Sequence, residues 1–209
     1  VYPDNLPAVI NLGQGSPTNL MFGFKANFPS KYKKALYAFD WSFGIIYAIH
    51  LTPNGASYDA TAEEFISGSP LPLTDGTIGP DGAFYFATGG RRLDSDLYRV
   101  TYQEDLDTHT PLTLADLPEE HKIRRNLEEY HKAGAPADGI ELAWANLNHK
   151  DRYIQYAARL VLEHQPVASW KARALAETDP VKLTHAMLAL AHHSTDADAA
   201  PMLNALMGI

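Results

Sequence analysis

The chain contains no cysteine. That excludes disulfides, cysteine-ligated zinc, a thiol nucleophile and the attachment motif of a c-type haem within this sequence. Long apolar runs are missing too, and none approaches the roughly 20 residues a membrane helix requires. There is no basic arm or Lys/Arg stripe: 17 Lys and Arg stand against 25 Asp and Glu, for a formal charge of -8, so nucleic acid is not an expected partner. No Walker loop, dinucleotide fingerprint or His-Glu-x-x-His pair occurs, and no Ser-His-Asp arrangement is legible. The histidines at 149, 164, 185, 192 and 193 stand without a fixed carboxylate or second ligand, so they read as surface or helix-terminal residues. No signal peptide is visible, and the first residue is Val1.

What is present divides into two halves. All eight Phe lie before residue 87 and eleven of the fourteen Gly before residue 91, whereas nineteen Ala follow residue 105 and only ten precede it. Aromatic, Gly-rich sequence favours strands and tight turns; Ala/Leu-rich sequence favours helix. The border falls in a polar stretch, Glu104 to Pro111, that reads as a linker.

In the first half the strand signals are short and evenly spaced. Ala35 to Trp41 and Ile45 to Leu51 alternate, Pro53-Asn54-Gly55 supplies a tight turn, and Ser57 to Phe65 returns. A second copy follows at Ala83 to Ala87 and Asp96 to Tyr102, with Tyr37 and Tyr85 48 residues apart and Tyr47 and Tyr98 51 apart. Four short strands per unit at a period near 50 predict propeller blades, one at about 18–68 and three strands of another at about 71–102. A β-sandwich with coincidental spacing is the competing architecture. Two isolated blades would leave open edges, so the expected partners are the remaining blades, from a longer parent polypeptide or from another chain.

The second half predicts helices over 118–133, 138–149, 152–164, 167–177 and 181–193. Asp151 and Asp179-Pro180 serve as start signals. Helices of similar length joined by short connections suggest a HEAT-like array. The fold class expected is therefore β and α in separate domains: a partial β-propeller of about one and a half blades over 1–104, a linker at 105–117, and an α-helical HEAT-like array over 118–209.

The segment Leu71 to Phe86 carries Asp75, the turn Gly79-Pro80-Asp81-Gly82 and the strand Ala83-Phe84-Tyr85-Phe86, and Asp96-Leu97-Tyr98-Arg99-Val100 continues it. It resembles a blade of the soluble glucose/sorbosone dehydrogenase family. With Phe28 to Tyr32 and Ala35 to Trp41, the whole order is similar to large bacterial propeller-plus-HEAT proteins of that type. The resemblance implies a six-bladed propeller using pyrroloquinoline quinone and calcium in a complete parent, a haem protein as electron acceptor, and a periplasmic or extracellular location. No cofactor is expected within this chain itself. The family's Arg-x-Arg-Asp element, whose arginines approach the quinone carboxylates, falls here on Pro72, Thr74 and Asp75, so neither cation is present.

The candidate ligand residues are Arg91, Arg92, Asp94 and Asp96 in the loop Thr88 to Asp96, together with Trp41. Arg91 or Arg92 offers forked donors to an anion or sugar, set against the plainer reading of a polar hairpin loop. Asp94 and Asp96 offer calcium two carboxylates, short of the 6–8 oxygens it takes. Trp41 is read either as a sugar-stacking ring or as packing between blades. Three functions follow as expectations: a structural or interaction segment of a larger exported protein; part of a quinoprotein sugar dehydrogenase; a carbohydrate-binding module without catalysis.

Overall fold

The computed structural model describes residues 5–106, 116–132 and 134–208. Most of the linker expected at 105–117 lies outside the described residues. The chain divides into two compact units. One comprises Ala8–Pro53 with Tyr58–Leu112; the other comprises Asn54–Ser57 and Thr113–Ile209 with the segment ending at Pro7.

The first unit is built on strands. Strands β1 (Pro17–Phe22), β2 (Leu36–Asp40), β3 (Ile45–Asn54) and β4 (Ser57–Ser67) form a four-stranded sheet in the order β1-β2-β3-β4. The pairs β1–β2 and β2–β3 are antiparallel. A short helix α1 (Ser30–Lys33) lies between β1 and β2. Strands β5 (Leu73–Ile78), β6 (Phe84–Thr88) and β7 (Leu97–Val100) form a separate antiparallel sheet in sequence order. Period-two burial sets which face is which. Tyr37, Phe39, Ile46 and Ala48 of the first sheet and Leu73, Phe84 and Phe86 of the second are buried in one common core. Phe84 sits at its centre, with its ring centroid 4.9 Å from Tyr37, 5.8 Å from Phe39 and 5.6 Å from Phe65. Fully burying a ring of this size contributes roughly 1.5–3 kcal/mol.

This arrangement corrects the expectation of propeller blades. The two sheets do not close into a ring; they are open, of unequal strand number, and share one aromatic core. The 48- and 51-residue spacings do not join equivalent positions: Tyr37 is buried in the core whereas Tyr85 lies between the buried Phe84 and Phe86, and Tyr47 is on the outer face whereas Tyr98 pairs with the buried Phe86. What the two sheets share is period-two burial on β2 and β6, which any two packed antiparallel sheets impose, so it does not require blades. The need for further blades as partners was drawn from the propeller and goes with it.

The second unit is helical: α2 (Glu119–Glu128), α3 (Gly139–Asn146), α4 (Arg152–His164), a 3-10 turn (Val167–Ser169), α5 (Lys171–Leu175), α6 (Pro180–Ala191) and α7 (Asp196–Met207). Helix α4 carries buried Ile154, Ala157, Ala158, Val161 and Leu162, the spacing of one wide apolar face. It packs against α2, α3 and α6 around a core that also holds Leu127, Trp144, Trp170 and Leu183. The HEAT-like array is corrected too. The helices run from 5 to 13 residues and gather about α4, whereas a solenoid stacks equal pairs that touch only their neighbours. The start signals hold: Asp151 accepts from Tyr153 N at 2.8 Å, and Asp179 from Val181 N and Lys182 N at 2.9 and 3.0 Å.

The turn Asn54–Ser57 belongs to this helical unit, with Gly55 at φ 55°. Ala56 is part of the helical core; its N–H donates to Asp151 Oδ2 at 2.7 Å and its carbonyl accepts from Arg124 at 3.1 Å. Among the described residues no helix is long and apolar enough to cross a membrane.

Candidate functional site

Pairing in the four-stranded sheet sets Leu20 opposite Ala38, Phe22 opposite Leu36, Ala38 opposite Tyr47 and Asp40 opposite Ile45. These residues share the outer face, away from the aromatic core. The face is apolar and partly open. Leu20 is 63% exposed and Phe22 43%, and Phe22 stacks on Phe24, itself 62% exposed, with centroids 4.7 Å apart and planes 5° from parallel.

At the other end of this face, residues 8 and 10–15 and Pro17 line an open hollow of about 310 Å³. Ile10, Leu12, Ala38 and Tyr47 are among its lining residues, and Asp40 adds a carboxylate. Asp40 is only 7% exposed. Its Oδ1 accepts from Ser16 N at 3.0 Å, Ser42 N at 2.8 Å and Phe43 N at 3.4 Å, which fixes the turn leading into β3. Burial, followed by the charges of Asp40 and Glu64, holds the Tyr47 phenol above its ordinary pKa.

The loop between β6 and β7 is the site picked out by its sequence. Gly89, Gly90, Arg91 and Arg92 all have positive φ, at 143°, 92°, 49° and 67°. For the two arginines this left-handed conformation costs on the order of 1–2 kcal/mol each. The surroundings enforce it: Gly89 N donates to Pro72 O at 2.9 Å, Leu93 N to Gly90 O at 3.0 Å, and Trp41 Nε1 to Gly89 O at 2.9 Å. The Arg91 guanidinium then lies over the Trp41 ring, 4.9 Å from its centroid. The loop thus brings Trp41 and Arg91 together. Arg92, Asp94 and Asp96 are exposed on it, and neither aspartate makes a side-chain hydrogen bond or ion pair with a described residue. One face of Trp41 is covered by Arg91, so a sugar has at most the other face to stack on.

The positions that the resemblance sets against a quinone do not fit one. Pro72 presents only its carbonyl, which accepts from Gly89 N, and the Thr74 hydroxyl donates to Ala87 O at 3.0 Å. Neither supplies a cation to a carboxylate. Asp81 of the Gly-Pro-Asp-Gly turn is engaged structurally: Arg99 donates to its Oδ2 at 2.8 and 3.0 Å, Tyr85 OH donates to Oδ2 at 3.0 Å, and Ala83 N donates to Oδ1 at 3.1 Å. Arg99 is the largest cause of the depressed Asp81 carboxyl pKa. Among the described residues, no three His, Asp or Glu converge as a metal site.

In the helical unit a hollow of about 450 Å³ is lined by His164, Gln165, Glu163 and His193. Its imidazoles are engaged, His164 Nδ1 with Leu160 O at 2.8 Å and His193 Nε2 with Glu163 O at 2.9 Å. The hollow at Asp40 and the Leu20, Phe22 and Phe24 strip were not singled out by sequence patterns. The available signal was Asp40 itself, an aspartate placed two and three residues before free turn amides. Compared with known protein families, curated proteins and solved structures, the chain finds no match.

Proposed function

We propose that the chain is a non-catalytic interaction module that docks an apolar protein surface onto the outer face of its four-stranded sheet. The observation that carries this reading is the strip formed by Leu20, Phe22 and Phe24, three large apolar side chains left open to water, two of them stacked. A contiguous exposed patch of this kind costs solubility and marks an interaction site in a folded protein. Stacked rings also give a rigid contact that loses little side-chain freedom on docking. The dehydrogenase reading lacks its two cations at Pro72 and Thr74.

The test is photo-cross-linking from a benzoyl-phenylalanine placed at position 24, in the cells that make the protein. The reading expects an adduct of discrete mass that disappears with Phe22→Ser. Equal labelling from the same probe at Glu104, on the surface elsewhere in the unit, overturns it.

A further inference from the structure

Two open sheets present four strand edges, and all but that of β7 are guarded. Strands β1 and β5 lie against one another: Thr18 Oγ1 donates to Leu73 O at 3.0 Å and the Asn19 amide to Gly76 O at 2.8 Å. Strand β4 carries Asp59, Glu63 and Glu64, charges that disfavour pairing with a further strand. Strand β7 has neither device. Leu97–Val100 contains no Lys or Pro, and its one charge, Arg99, is bonded to Asp81 at 2.8 Å. Leu97 is 74% exposed. Tyr98, stacked on the buried Phe86 ring with centroids 4.6 Å apart, is still 39% exposed, so the aromatic core has an open rim here.

The ladder fixes which backbone groups of β7 face that edge. Thr88 N donates to Asp96 O at 3.0 Å, which makes Thr88 and Asp96 a hydrogen-bonded pair. Such pairs alternate along an antiparallel ladder, so Phe86 with Tyr98 and Phe84 with Val100 are bonded pairs as well. Leu97 and Arg99, opposite Ala87 and Tyr85, therefore turn their N–H and C=O groups away from β6, where the sheet has no further strand among the described residues.

We propose that β7 is the pairing edge for a second copy of this chain, joined antiparallel about a two-fold axis at Tyr98. In that register Leu97 stands opposite the partner's Arg99 and Arg99 opposite the partner's Leu97, and each pair exchanges both of its backbone bonds. Self-complementarity is what selects a second copy as the occupant. The outward groups lie one residue either side of Tyr98, so the two-fold matches donor to acceptor at both. Each arginine meets a leucine, which avoids the opposed like charges that weaken a sheet. The two Tyr98 side chains take the closer, non-hydrogen-bonded position and cover the open rim of the aromatic core. Contact along so short a strand buries little surface and belongs with weak, reversible associations. This edge is separate from the Leu20, Phe22 and Phe24 strip, and its test does not depend on a foreign partner.

The test is sedimentation of the whole chain from low micromolar to near-millimolar concentration, with amide hydrogen exchange at both ends of that range. A mass rising towards twice that of the single chain is expected. The Leu97 and Arg99 amides should slow as it rises, while those of Tyr98 and Val100, already bonded to β6, should change little. Leu97→Pro removes an outward N–H without touching the β6 ladder and is expected to abolish association. Leu97→Lys, at the same exposed position, sets a cation opposite the partner's Arg99 and is expected to weaken association without unfolding the sheet. Leu20→Lys, on the docking strip, is expected to leave it unchanged. A chain that stays monomeric throughout, association that survives Leu97→Pro, or association lost only with Leu20→Lys overturns the proposal. So does slowing of the Leu97 and Arg99 amides only when a foreign extended peptide is added, which would give the edge a different occupant.

Discussion

Arg91 and Trp41, fifty residues apart in sequence, meet as a cation over a ring at 4.9 Å, and Arg91 adopts a positive φ to get there. An unfavourable backbone conformation is held by a favourable side-chain contact and by the Trp41 Nε1 bond to Gly89 O. Strain of this size persists only where neighbours over-determine it.

Separate substitutions at Arg91 therefore distinguish the two effects. Arg91→Ala removes the stack and leaves the strain, and is expected to lower stability by about 0.5–1 kcal/mol, with a change in Trp41 emission. Arg91→Gly removes both and is expected to fall closer to wild type, since glycine adopts this φ freely. Urea unfolding of the two variants, followed by tryptophan fluorescence, measures the difference. If Arg91→Gly proves the less stable of the two, the φ carries no strain.

Asp151 joins two parts of the helical unit. Its Oδ1 caps α4 and its Oδ2 accepts the buried Ala56 N. Asp151→Ala is expected to cost about 1–2 kcal/mol for the cap and about 1–3 kcal/mol more for the stranded amide. Asp151→Asn keeps an acceptor for the cap and should lie between them. Thermal unfolding followed by helix ellipticity checks the order; equal stabilities for all three would show that neither bond matters.

Asp198 gives the helical unit an acid-sensitive joint. The Lys171 ammonium, followed by the Thr195 amide and hydroxyl, holds its carboxyl pKa down to about 2. The amide donates at 2.8 Å and the hydroxyl at 3.1 Å, and Lys171 bonds the other carboxylate oxygen. A carboxyl whose folded pKa is depressed adds stability above its unfolded value, near 3.8, and loses it as pH falls towards 2. The stability gap between wild type and Asp198→Asn is expected to be full at pH 6 and to shrink between about pH 4 and 2. Urea midpoints across that range measure it, and a gap that stays constant would mean that Asp198 does not titrate there.

Much of the element pattern was legible and the way the elements close was not. The strands Leu36–Asp40 and Phe84–Thr88 announce themselves by aromatic alternation, and α4 by its apolar spacing from Ile154 to Leu162. The caps Asp151 and Asp179 follow from local chemistry that any helix start requires. Whether two sheets form blades or face one another is decided by contacts such as Phe39 on Phe84, which carry no signature within either strand. Helix α7 was missed because Pro201 lies inside it and its first turn is polar. The segment over Asp40 has no period to read; its shape comes from Gly15 resting on the carboxylate. The loop arginines were found because glycine pairs with charges are conspicuous, while the positive φ that turns Arg91 towards Trp41 depends on bonds from Pro72 and Trp41.

The membership of Asn54–Ser57 in the helical unit has a consequence for how this protein can be divided. The compositional border near residue 105 is where a cloned fragment would be cut. A helical piece made from residue 113 onward would be missing Ala56 from its core, and Asp151 and Arg124 would each lack a bonding partner. The helical unit is not a contiguous stretch of gene, so shuffling at that border transfers it incomplete; the four-residue insert from the strand-rich half and the segment ending at Pro7, whose Asn5 carbonyl accepts from Arg152, must travel with it.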